Sequence, residues 1–142
     1  MKVEKLFQAD TRSEVLLPLY TDRVPAGFPS PAEDYIETHL DLNRHIIQNP
    51  AATYFVKVSG DSMVGAGIFS GDLLVVDRSL EPRHRDVVVA AVDGELLVTR
   101  LYCRKGAVRL LSENDKYPPI EIIEGQDLVI WGVVTTCVHS FR

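Results

Sequence analysis

The chain has 142 residues, 46% of them hydrophobic, and carries a formal net charge of −5. That length and apolar content suit one domain of ordinary size with its own core. The acidic balance argues against a general nucleic-acid-binding surface, which is usually basic, and leaves room for a partner that itself binds DNA. The opening "MKVEKLFQAD" mixes both charges and holds no apolar segment of signal-peptide length. No run approaches the roughly 18 apolar residues a membrane helix needs. The expectation is a soluble, cytoplasmic chain with no membrane contact. The two cysteines, Cys103 and Cys137, lack metal-ligand spacing and read as reduced thiols. The four histidines, His39, His45, His84 and His139, form no metal-binding pattern either, so no metal or other cofactor is expected.

Residues 1–29 are expected to form an extended N-terminal arm. Pro18, Pro25 and Pro29, with Gly27 among them, forbid a continuous helix and remove ladder donors. Apolar anchors such as Val15, Leu16, Leu17 and Leu19 would dock the arm on the body of the protein. A helix start follows: Ser30 as cap, Pro31 at the first helical position and Glu33 closing a capping box. Tyr35, Ile36 and Leu40 then share one helical face, and Asp41 can cap a second short turn through Leu42, His45 and Ile46, ending near Asn49-Pro50.

From residue 53 the pattern is β. "TYFVKV", "DLLVVD", "DVVVAAVD", "ELLVTRLY", "AVRLL", "IEII" and "LVIWGVVTTCV" are short, rich in Val, Ile and Leu, and separated by turn signals. Asp93-Gly94 is a two-residue hairpin signal. The fold class is therefore mainly β, an antiparallel domain over residues 30–142 with a short helical element and the arm ahead of it.

Ser62 lies in "VSGDSMVGAG", directly after the first of these strands and between Gly60 and Gly65. A serine hydroxyl attacks only when a base takes its proton, and a loop serine alone more often marks a plain turn. Four blocks change the weighing: "AGFPSPAEDYIE", "ATYFVKVSGDSM", "GDLLVVDRSL" and "DVVVAAVDGE". Together they resemble the UmuD family of bacterial SOS mutagenesis proteins, related to the self-cleaving domains of LexA-type repressors and to signal peptidases in fold. The resemblance runs from about residue 18 to the C-terminus. It implies a LexA-like β peptidase domain in a homodimer, with Ser62 as nucleophile and the scissile bond at Ala26-Gly27. It also implies stimulation by a RecA–ssDNA filament, and a shortened form that joins a UmuC-type DNA polymerase for translesion synthesis. The uncleaved form would restrain other replication proteins. Direct specific DNA binding is not expected.

The family pairs its serine with a buried lysine, whose desolvation lowers its pKa so that it can act as base. Aligned without gaps from Ser62 through Asp93-Gly94-Glu95, that position is Thr99. Arg100 points to the other face of the strand and stays charged. Lys105 falls in a turn about 20 Å further along the strand. Lys57 precedes the nucleophile and matches a family lysine that is not catalytic. His84, near Asp86 in a polar loop, is the remaining candidate. Whether Thr99 is a natural loss or a deliberate replacement, the expectation is the same: the nucleophile is present, its lysine is missing, and self-cleavage is impaired. Two other readings stay open, a protein-binding regulatory domain without catalysis and a repressor-derived fragment. Trp131 and the apolar "LVIWGVV" run read as core or dimer interface.

Overall fold

The structure, a computed structural model, describes residues 1–14, 16–20 and 36–142, with no side-chain placement for residues 17–20 and 36–39. The expected cleavage pair Ala26-Gly27 and the capping pattern Ser30-Pro31-x-Glu33 lie outside the described residues. Two compact units result: Met1–Ala9 with Asn49–Arg142, and Asp10–Gln48.

The larger unit is one antiparallel sheet. Its strands are β1 (Lys2–Gln8), β4 (Thr53–Ser59), β5 (Leu73–Asp77), β6 (Val87–Val92), β7 (Glu95–Arg104), β8 (Ala107–Leu111), β9 (Ile120–Glu121) and β10 (Leu128–Val138). They run in the order β1-β4-β5-β10-β6-β7-β8-β9. A further pairing of Lys2 with Leu97 joins β1 to β7, so the sheet curls back on itself in the manner of a barrel. The seven runs read as strands from residue 53 onward all form strands. Their turns use the residues that turn geometry demands. Asp93 and Gly94 have φ of 49° and 85°, and Lys105 and Gly106 have 53° and 74°; two successive positive φ angles match the twist of the strands they join.

Alternation along β6 and β7 divides the apolar side chains into two clusters. Val89 and Val98 join Val56, Val58, Met63, Ile68, Leu74 and Val76. Val88, Ala90 and Leu101 join Leu110 and Val133. β10 lies between β5 and β6 and is hydrogen-bonded on both edges. Gly132 in it is obligatory: a Cβ there would stand 2.6 Å from Val76 Cγ1. Trp131 packs edge-on against Tyr54 with 5.1 Å between ring centroids, under the Arg78 guanidinium.

Two features depart from the sequence reading. The first residues are not a loose extension: Lys2–Gln8 pairs with β4 over most of its length. Only Met1 and Val3 turn apolar surface onto the core, so the ladder rather than a hydrophobic pattern recruits this segment. Within the smaller unit, residues 36–40 are not helical. Ile36–Asp41 forms strand β3, paired antiparallel with β2 (Leu16–Tyr20). Ile36, Thr38 and Leu40 also fit a period of two, and pairing decided between the patterns. The short helix α1 (Leu42–Ile46) follows Asp41 as expected, though the Asp41 side chain makes no capping hydrogen bond.

Candidate active site

β4 delivers the chain into a tight loop at Gly60, whose φ of 102° suits glycine. Ser62 and Met63 follow. Met63 is fully buried in the core, which anchors the backbone one residue beyond Ser62. The loop is then bolted to residues 112–117. The Glu113 N–H donates to the Ser62 carbonyl at 2.8 Å, and the Gly65 N–H donates to the Glu113 carbonyl at 2.8 Å. Asn114 Nδ2 donates to the Asp61 carbonyl at 3.0 Å, and the Tyr117 hydroxyl donates to Asp61 Oδ1. Gly65 is required by this contact, because a Cβ would come within 2.6 Å of the Glu113 carbonyl oxygen. Glu113 is held in turn by an ion pair with Arg100 of β7.

Ser62 and Thr99 line the same cavity, about 340 Å³, together with Met1, Leu97, Leu110 and Tyr117. A more open depression of about 760 Å³ shares Ser112, Tyr117 and Pro118 with it. The pair picked from sequence as nucleophile and base position is therefore brought together. Thr99 is buried, and its hydroxyl donates to the Leu111 carbonyl at 2.9 Å. It is tied to the β8 backbone, and a neutral hydroxyl of this kind takes no proton from serine. His84 is elsewhere: its Nδ1 accepts from the Cys103 N–H at 3.2 Å, and its ring packs on Tyr102. Burial first, then Arg104 and Arg85, hold its pKa below the ordinary histidine value. Lys57 is exposed on β4 and Lys105 sits in the β7–β8 turn.

Met1 borders the same cavity as Ser62. Its α-amino group donates to Ser62 Oγ at 2.5 Å. The residue is pinned there from two sides. The Val98 N–H donates to the Met1 carbonyl at 2.9 Å, while Lys2 pairs with Ser59 on one side and Leu97 on the other. Burial is the main cause holding this amine below its usual pKa of 8.0, with Lys2 acting in the same direction and Asp61 against.

A second polar cluster fixes the exit of the loop that carries Ser62. Burial alone would raise the Asp72 pKa. The Phe69 N–H, His139 and the Cys137 thiol all bond its carboxylate and bring it below the usual value instead. Burial and Asp72 push the Cys137 thiol up to about 12. Both cysteines are free. Among the described residues no group of three His, Cys, Asp or Glu side chains could hold a metal, and no helix is long and apolar enough to cross a membrane.

Ser62 thus sits on a glycine-flanked loop and faces a cavity of an antiparallel β fold. The Peptidase S24-like family model matches residues 18–135, and the chain belongs to that family of self-cleaving serine peptidases. Protein SamA of Salmonella typhimurium (strain LT2) is 50% identical over 125 residues, 88% of this chain and 86% of that protein. Protein MucA of Escherichia coli is 42% identical over 137 residues, 95% and 92% of the two chains. The LexA repressor of Stenotrophomonas maltophilia is 38% identical over 131 residues, which cover 92% of this chain and 62% of the repressor. The resemblance to UmuD-type SOS mutagenesis proteins and to LexA agrees with these matches.

Proposed function

We propose that this chain is a UmuD-type SOS-response protein, cut at Ala26-Gly27 by Ser62 when a RecA–ssDNA filament stimulates it. The fragment Gly27–Arg142 would then serve a UmuC-type polymerase in translesion synthesis, and the protein would act as a homodimer in the cytoplasm. The observation that carries the reading is Ser62, held by Met63 and the 112–117 segment at the wall of a cavity, in a chain half identical to SamA. Ser62 is the nucleophile in this reading. Thr99 stands at the lysine position without the ability to accept a proton, so cleavage is slow beside that of a Ser–Lys enzyme. The exposed apolar residues Val129, Val138 and Phe141, on and just beyond β10, suit the second copy.

Incubation with activated RecA filaments, followed by intact mass, tests this. The expected product begins at Gly27 and is absent in Ser62→Ala. A Thr99→Lys chain that also yields no such fragment would turn the reading to a protein-binding regulatory domain.

A further inference from the structure

We propose that the exposed face built by the 83–86 loop and strands β7 and β8 grips the phosphodiester backbone of nucleic acid, by charge and without reading base sequence. The inference goes beyond the self-cleavage reading and does not depend on it. Arg83, Arg85, Arg104, Lys105 and Arg109 are all exposed. They are five of the 15 Lys and Arg side chains in a chain whose net charge is −5. The acidity of the chain is an average over its surface, and a third of its cations gather here.

Backbone bonds bring these residues together from three segments. The Arg85 N–H donates to the Leu101 carbonyl at 2.8 Å, and the Leu101 N–H donates to the Asp86 carbonyl at 2.8 Å. The loop therefore lies along β7. Within the sheet Tyr102 of β7 is the ladder partner of Arg109 of β8, whose guanidinium stands 5.3 Å from the Tyr102 ring. Arg104 is two residues beyond Tyr102 and so points to the same side. The His84 ring packs edge-on to Tyr102, with 5.0 Å between centroids. Burial first, then the charges of Arg104 and Arg85, hold the His84 pKa below its ordinary value, which puts both guanidinium groups near that ring. Arg85 has a φ of 77°, in the region that favours glycine, yet the position carries a cation.

The acids around this face are already engaged. Glu121 pairs with Arg109 at 3.2 Å, Glu113 pairs with Arg100, and the Asp86 carboxylate accepts from the Arg83 N–H at 2.8 Å. Arg83, Arg85, Arg104 and Lys105 take part in no ion pair among the described residues. Like charges held together without partners favour a ligand that carries several negative charges in a row. The face also lacks what a protein partner would use, since protein interfaces centre on apolar or aromatic anchors. Between Leu80 and Tyr117 the chain exposes no large apolar side chain, and Tyr102 is half-buried beneath Arg109. That closure also withholds the Tyr102 ring from base stacking. What is left is a set of guanidinium forks, which match phosphate oxygens. Such contacts position a nucleic acid and carry no sequence information.

The test is fluorescence anisotropy of the full chain with three labelled probes of equal length: an oligothymidylate single strand, a DNA duplex and polyglutamate, over a series of salt concentrations. Both nucleic acids should bind, with Kd in the non-specific range of about 10⁻⁴–10⁻⁶ M. The tighter of the two identifies the form of nucleic acid preferred. Log K should fall with log salt by about 0.7 per phosphate neutralised on the single strand and about 0.9 on the duplex. Arg85→Gly combined with Arg104→Ala should weaken binding roughly tenfold or more at low salt and make the single-strand slope shallower by about 0.7 for each cation lost. Glycine suits the φ at position 85 and Arg104 is exposed, so the melting temperature of this variant should stay close to the parent's. Lys5→Ala combined with Lys57→Ala removes the same charge from the β1–β4 pair and should bind like the parent. Failure of both nucleic acids to bind at the lowest salt overturns the inference. So does an equal loss in the two double variants, which would reduce the effect to net charge. Polyglutamate bound as tightly as the nucleic acids, or in their place, would also overturn it and make the face a site for an acidic protein segment.

Discussion

The two halves of the site are built with unequal care. The Ser62 side is over-determined: Met63 is sunk in the core, Gly65 is pressed against the Glu113 carbonyl, and Asn114 and Tyr117 grip Asp61. The β7 side has fewer fixed points: Thr99 is buried and bonded to the Leu111 carbonyl. A loop that merely turned the chain would not need so many fixed points. The comparison teaches that the presentation of Ser62 is independent of what stands at position 99.

The largest effect should come from refilling the weaker half. Thr99→Lys places an amine in the shared cavity, and a positioned base is worth on the order of 10²–10⁴ in rate. The rate of appearance of the Gly27 fragment should rise by that factor. Ser62→Ala in the same background should abolish it. A lysine variant no faster than the parent would show that position 99 does not address Ser62.

Next comes a break in the stronger half. Gly65→Ala puts a Cβ against backbone, at 2.6 Å from the Glu113 oxygen, and neither side can yield without dragging Ser62 along. Overpacking of this kind costs about 1–3 kcal/mol. Chemical denaturation should show that loss. Cleavage should fall further than stability does, because a misplacement of about 1 Å at a reacting atom alone can cost roughly 10²-fold. Equal activity with unchanged stability would mean the loop is looser than its contacts suggest.

The same contrast explains what the sequence disclosed. The seven strands after residue 52 were legible because each couples a Val, Ile or Leu run to turn residues with a mechanism, as Asp93-Gly94 shows. β1 was not, since "KVEKLFQ" has one residue, Val3, packed on the core and its remaining support is backbone pairing. β3 was misread because Ile36 and Leu40 satisfy a helical spacing as well as they satisfy alternation, and the partner strand β2 is remote information. Ser62 and Thr99 could be found from a motif and a spacing.

A smaller effect concerns the exit of the Ser62 loop at Asp72. Its carboxylate is 3% exposed and bonded by the Phe69 N–H, His139 and Cys137. Its folded pKa lies below the unfolded value. A depressed carboxylate contributes stability that is present above the unfolded pKa and is lost as pH falls through the folded one. The melting temperature should therefore drop on acidification below about pH 4. Asp72→Asn should lower stability at pH 7 by about 1.5–3 kcal/mol, the range for hydrogen bonds to a charged group, and should flatten that acid limb. An unchanged limb in the variant would move the acid sensitivity to another carboxylate.

The smallest expected effect separates the ion pair from the ladder in fixing residue 113. Arg100 and Glu113 are partly exposed, 20% and 27% at their side chains. Solvent screens such a pair, so its worth is about 1 kcal/mol or less. Position 113 also holds the loop through two backbone bonds, from its own N–H to Ser62 and from Gly65 to its carbonyl, and these survive any side-chain change. Glu113→Gln should thus leave thermal stability nearly unchanged and slow cleavage only a few-fold. Arg100 also donates to the Arg85 carbonyl, so Arg100→Ala removes one more anchor and should cost more than Glu113→Gln. A double-mutant cycle read by denaturation isolates the pair from that extra bond. A coupling energy well above about 1 kcal/mol would show that the charge pair, and not the backbone clamp, positions the serine.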